Sequence, residues 1–160
     1  MLRLIPRLRG PFLDFIVVAS GEYLERIHPK RRTLEIKREY FRHPDALRVP
    51  LCVFMVANAC FERTHPQFCY YRATEFAGEL LECLIAELRA LVEAIQACKW
   101  KREFGALIPK LFADDFADQF GCWQGCWPCV RDELAQAIGT VLECAVQAKE
   151  ADKALLVIGI

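Results

Sequence analysis

Three thiols crowd into one short stretch, Gly121-Cys122-Trp123-Gln124-Gly125-Cys126-Trp127-Pro128-Cys129, in a chain that carries nine cysteines in 160 residues. Thiols this close together can hold a soft metal, close a disulfide or exchange electrons. A zinc ion or an iron–sulfur cluster is normally held by four ligands. Cys122, Cys126 and Cys129 supply three, so a fourth must come from elsewhere, and Cys69, beside Phe68, Tyr70 and Tyr71, is the first candidate. Cys60 and His65 are the others. A second chemistry uses Cys126 and Cys129 alone. Pro128 suits the first turn of a helix, which puts Cys126 at a helix N-terminus, where backbone N–H groups and the helix dipole stabilise a thiolate. Cys126 is then the nucleophile and Cys129 the resolving thiol. A third reading needs no chemistry: Trp123 and Trp127 cover one end of the fold, and the cysteines fill space beneath them.

Two family resemblances bear on the motif. The Cys-x3-Cys-x2-Cys spacing is similar to the cluster motif of radical S-adenosylmethionine enzymes, which implies an early motif in a longer barrel with an aromatic before the last cysteine. Here Pro128 holds that position and about 30 residues follow Cys129, so that family is rejected. Cys126-Trp127-Pro128-Cys129 resembles a redox CxxC. Thioredoxin-like proteins imply a βαβ setting that the sequence does not offer. Helical peroxidase-reductases of the alkylhydroperoxidase type match better. Their motif implies a histidine soon after the second cysteine; Arg131, Asp132 and Glu133 stand here instead, which removes the expected proton relay.

A second constellation is basic. Lys30, Arg31, Arg32, Lys37, Arg38 and Arg42 interleave with Tyr40 and Phe41, as in nucleic-acid binders. Glu35 and Glu39 dilute the patch, and the formal net charge of the chain is zero. Nucleic acid is therefore an alternative partner and not the favoured one. Asp114, Asp115 and Asp118 read as a solvated acidic face. The sequence carries no Gly-rich phosphate loop, no HExxH and no GxSxG.

The elements that must position these residues read as helices. Ala, Leu, Glu, Lys and Arg dominate, while Ser20 and Asn58 are the single serine and asparagine. Phe12, Ile16, Ala19, Tyr23 and Ile27 recur at intervals of three and four, so residues 11–28 are expected to be helical, ending before Pro29. Residues 30–43 fit a short helix or a strand. Leu51 to Phe61 is apolar nearly all round, the mark of a buried central helix begun at Pro50. Ala77, Leu81, Leu84, Leu88, Leu91, Ile95 and Cys98 form a heptad-like seam, with Thr74 as its N-cap. Pro109 opens a helix bearing Phe112, Phe116 and Phe120, stopped at Gly121. Residues 130–152 form the last helix, with Leu134, Ile138, Val141, Ala145 and Ala148 inward. Leu155 to Ile160 is either a frayed helix end or a terminal strand.

These readings sum to an all-α fold: one domain over residues 1–160, a bundle of five or six helices, a basic arm at 1–10 and a Cys/Trp/Gly connector at 121–129. Cys52, Cys60, Cys83, Cys98 and Cys144 lie in apolar or helical runs, where cysteine packs as a small hydrophobe. With an odd total, this favours an intracellular, reducing, cytoplasmic setting. The apolar stretch 12–19 behind Arg3, Arg7 and Arg9 imitates a leader, but Asp14 interrupts it. No apolar run reaches the roughly 18–20 residues that span a bilayer. The expected function is a non-enzymatic helical interaction or assembly protein, binding a protein partner or its own copies, with a structural metal as an option. The alternatives are the dithiol protein and the nucleic-acid-associated subunit.

Overall fold

The computed structural model describes residues 11–27, 34–41, 43–110, 113–120 and 123–159. The chain opens with a strand. Phe12–Val18 (β1) is rich in Phe, Ile and Val, side chains that suit a pleated surface. Leu24–Ile27 (β2) and Leu34–Ile36 (β3) make a separate two-stranded ribbon, and a 3-10 turn covers Arg38–Tyr40. Leu47–Pro50 (β4), Ala73–Phe76 (β5) and Ala154–Gly159 (β6) complete the strands. The helices are Leu51–Thr64 (α1), Gly78–Ala97 (α2), Lys101–Leu107 (α3), Ala113–Phe120 (α4) and Trp127–Glu150 (α5).

The fold is therefore α+β and not an all-α bundle. A four-stranded antiparallel sheet runs in the order β4-β1-β6-β5. Its two middle strands come from opposite ends of the described chain, paired from Leu13 opposite Gly159 to Val18 opposite Ala154. Alternate residues of β1 and β6 face different layers. Leu13, Phe15, Leu155 and Val157 join the main core with α1, α2 and α5. Ile16, Val18, Ala154, Leu156 and Ile158 join a second core closed by Tyr23 and Tyr40 from the segment between β1 and β4. A strand buried on both faces shows no period-two alternation, which is why residues 11–28 read as a helix.

Two other expectations change with the sheet. Thr74 does not cap a helix; it is buried in β5, opposite Val157. The helix begins at Gly78, whose φ of 53° marks the junction with the strand. The terminal strand is present and central. The arm at residues 1–10, and Phe112 and Gly121, lie outside the described residues.

Within the main core the expected helices do what their patterns imply. Leu81, Leu84, Leu88 and Ile95 of α2 are buried, as are Leu134, Ile138, Val141, Ala145 and Ala148 of α5. Lys149 pairs with Glu82 at 2.8 Å, and the Arg131 guanidinium donates to the Cys98 carbonyl at 3.0 Å. The C-terminal end of α5 thus meets the start of α2, and its start meets the end of α2, so the two helices are antiparallel.

The second face carries a buried carboxylate. Asp14, 1% exposed, sits opposite Arg48 in the ladder and accepts its Nε–H at 2.9 Å. Glu75 ties the turn after β1 to β5. It accepts from the Ser20 hydroxyl and from the Gly21 amide at 2.9 Å. Burial, reinforced by Glu75, pushes Tyr23 up to about 12, so its hydroxyl stays protonated and donates to that carboxylate.

Gly159 shows how tightly the sheet is closed. A β-carbon there would fall far inside contact distance of the Tyr70 carbonyl oxygen, a backbone atom that cannot rotate away. Gly159→Ala is therefore expected to displace the 65–72 loop and cost about 1–3 kcal/mol. Chemical denaturation checks this; an unchanged midpoint would show that the loop moves aside freely.

Candidate thiol site at the start of the last helix

The local sequence sets where α5 begins. Cys126 is its N-cap, with φ of −128° and ψ of 40°, and Pro128 lies in the first turn, as expected from its fixed φ and missing N–H. The Cys126 carbonyl accepts from the amides of Cys129 at 3.0 Å and Val130 at 3.3 Å. Cys126 and Cys129 therefore occupy N-cap and N3 of a 24-residue helix, on one face of its first turn, and both are exposed. Residues three apart on a helix hold their β-carbons about 5–6 Å apart. A disulfide needs about 3.5–4.5 Å, so a small adjustment of this first turn would bring the sulfurs to bonding distance.

An aromatic platform holds the turn in place. Phe104, fully buried in α3, meets Trp123 edge-on at 5.7 Å and Trp127 at 6.2 Å. Phe116 of α4 meets Trp123 at 6.1 Å and Phe120 at 4.5 Å. This agrees with Trp123 and Trp127 as covers for one end of the fold. The expected Phe112 member lies outside the described residues. Arg131 adds a cation 5.7 Å from the Trp127 ring centre and pairs with Asp132 at 2.7 Å. Through its bond to the Cys98 carbonyl it fastens the end of α2 to the start of α5. Nothing in the sequence signals this bridge, because its ends lie 33 residues apart.

The other thiols differ in kind. Cys60, Cys98 and Cys144 have their thiols pushed up by burial, Cys144 to about 11. Cys98 donates weakly to the Ala94 carbonyl at 3.4 Å, and Cys60 to that of Glu87 at 3.8 Å. A thiol kept protonated is a poor nucleophile, so these three behave as packing residues.

Among the described residues no three potential ligands gather as a metal site. Cys122 lies outside them. Cys69, the proposed fourth ligand, sits half-buried in the loop between α1 and β5, and is in no such group with Cys126 and Cys129. Of the basic constellation, two members are described. Lys37, half-buried, precedes the 3-10 turn and Arg38, exposed, opens it, while Lys30, Arg31, Arg32 and Arg42 lie outside the described residues. No described helix is long and apolar enough to cross a membrane.

Fold and site together define a mixed α+β protein that displays a Cys-x2-Cys pair on the first turn of its last helix. No protein-family profile, curated protein or solved structure matches the chain.

Proposed function

We propose that this protein carries out thiol–disulfide exchange with Cys126 as nucleophile and Cys129 as resolving thiol. The observation that carries the reading is their placement: N-cap and N3 of one long helix, exposed, on a turn fixed by Pro128 and the tryptophans. Anionic sulfur at a helix N-terminus is favoured by the dipole and the open N–H groups.

The exchange would run in two displacements. The Cys126 thiolate attacks one sulfur of a substrate disulfide; that S–S bond breaks, and the leaving thiolate takes a proton from water. Cys129, having lost its proton to solvent, attacks the Cys126 sulfur and releases the second substrate thiolate, which is protonated in turn. Two electrons have passed to the substrate, and the protein is left with a Cys126–Cys129 disulfide. A small dithiol reductant returns it to the starting state.

Removing only the second step tests the scheme. Cys129→Ser incubated with a disulfide-bonded peptide is expected to accumulate a mixed disulfide at Cys126, visible as a mass increase that reductant reverses. Absence of an adduct at Cys126 would sink the reading.

A second reading, an interaction or assembly protein, is supported by large aromatics left in solvent: Trp100 is 69% exposed and Tyr71 68%. A groove of about 490 Å³ between α2 and α5 is lined by Val92, Gln96, Ala135 and Gly139 among others. Light scattering across a concentration series tests self-association; a strictly monomeric protein would exclude the homo-oligomer.

A further inference from the structure

We infer that the turn Lys99-Trp100-Lys101-Arg102 recognises negative charge and selects carboxylate-bearing disulfides for the Cys126–Cys129 pair. The inference rests on the exchange reading above and names its substrate class.

All four residues are exposed where α2 gives way to α3. Three cations stand here against one carboxylate, Glu103, and that carboxylate is turned to the backbone. It accepts from the Lys99 amide at 2.9 Å and the Trp100 amide at 3.2 Å. Among the described residues none of Lys99, Lys101 and Arg102 forms an ion pair. The turn is held at both ends. Glu103 fixes its backbone, and Phe104, one turn beyond Trp100, anchors α3 beneath Trp123 and Trp127.

Arg131 donates to the carbonyl of Cys98, the residue before Lys99, and lies over Trp127, the residue after Cys126. One side chain thus spans from the basic turn to the thiol turn. A disulfide approaching Cys126 meets a positive field from the adjoining turn, together with an indole face able to cover the apolar part of an anionic organic molecule. Charges placed this way raise the local concentration of an oppositely charged reactant and its encounter rate, and salt screens the effect. The shared chemistry is a carboxylate near the scissile S–S bond, in a small molecule or an acidic peptide.

The test uses the full reduced chain and three disulfides of different charge: anionic dithiobis-nitrobenzoate, neutral dithiodipyridine and cationic cystamine. The rate at Cys126 is taken as the difference from Cys126→Ser. At low ionic strength the anionic-to-neutral rate ratio is expected to fall about tenfold in Lys99→Glu/Lys101→Glu/Arg102→Glu. The cystamine ratio should rise, and both differences should shrink in high salt. The Gln triple variant, gentler on folding, should fall between. Ratios equal in all three proteins would overturn the inference while leaving exchange intact. No reaction of Cys126 with the neutral probe would overturn the exchange reading itself. Salt-sensitive binding of a single-stranded oligonucleotide at this turn, with no charge preference in exchange, would overturn the inference in favour of a nucleic-acid surface. Arms with glutathione disulfide and with the disulfide of an acidic peptide separate the two sources: the source whose rate falls further in the Glu variant is the one this turn serves.

Discussion

Phe61→Ala is expected to cost about 3–5 kcal/mol, the upper range for a truncated core side chain. Phe61 is fully buried on α1 and touches four other rings: Phe54 at 5.0 Å, Phe68 at 5.4 Å, Phe76 at 5.5 Å and Phe15 at 5.9 Å. Those rings belong to the helix itself, the following loop, β5 and β1. Removing the ring therefore leaves a cavity walled by strands that pairing holds in place, and such a cavity collapses little. A domain of this size has roughly 5–15 kcal/mol in total, so the variant should be marginal at room temperature. Urea denaturation by circular dichroism reads the effect, and a loss below about 1 kcal/mol would show that the aromatic cluster is not the centre of the core. The exposed ion pairs offer a contrast. Arg63–Glu87 has both side chains at least one-third exposed, and breaking it should cost under about 1 kcal/mol.

Cys126→Ser is expected to lower exchange about a thousandfold or more while leaving the fold intact, because a hydroxyl cannot supply the anionic nucleophile at neutral pH. The two halves of that expectation work together. Serine is among the preferred N-cap residues, and the Cys126 side chain makes no capping hydrogen bond to α5. The substitution should hold stability level or raise it by up to about 1 kcal/mol. Lost turnover then reports lost chemistry. A variant that unfolds would instead point to a structural role for Cys126, and one that keeps full turnover would remove Cys126 from the reaction. Turnover is read as reduction of a peptide disulfide by dithiothreitol.

Where one face of an element was buried, the sequence was readable. The seam of α2 and the inward residues of α5 follow a helical period because each helix has a solvent side. α1 was legible for another reason: an apolar run of helix length begun after a proline. The strands were hidden by their position. β1 and β6 lie mid-sheet between two cores, so their outer alternation is apolar on both sides. The spacing of Phe12 and Ile16 in β1 and of Ala19 just beyond it then imitates a helix. β5 is four residues long and gains its structure from β6, about 80 positions away; local pattern carries none of that. Gly78, which opens α2 soon after β5, is the one local mark of that junction in the sequence.

The site divides the same way. Pro128 announced the helix start and so the placement of Cys126 and Cys129. The basic turn at Lys99 carries no local motif, because its meaning comes from Arg131, which joins it to the thiol segment only in three dimensions.

The most direct test of the central claim is a redox titration of the full chain, read by differential alkylation and peptide mass spectrometry. The account predicts that Cys126 and Cys129 oxidise together, in one two-electron step, into a disulfide with each other, while Cys60, Cys98 and Cys144 stay reduced. Cys126 and Cys129 remaining reduced throughout, or oxidising separately into bonds with other cysteines, would contradict it.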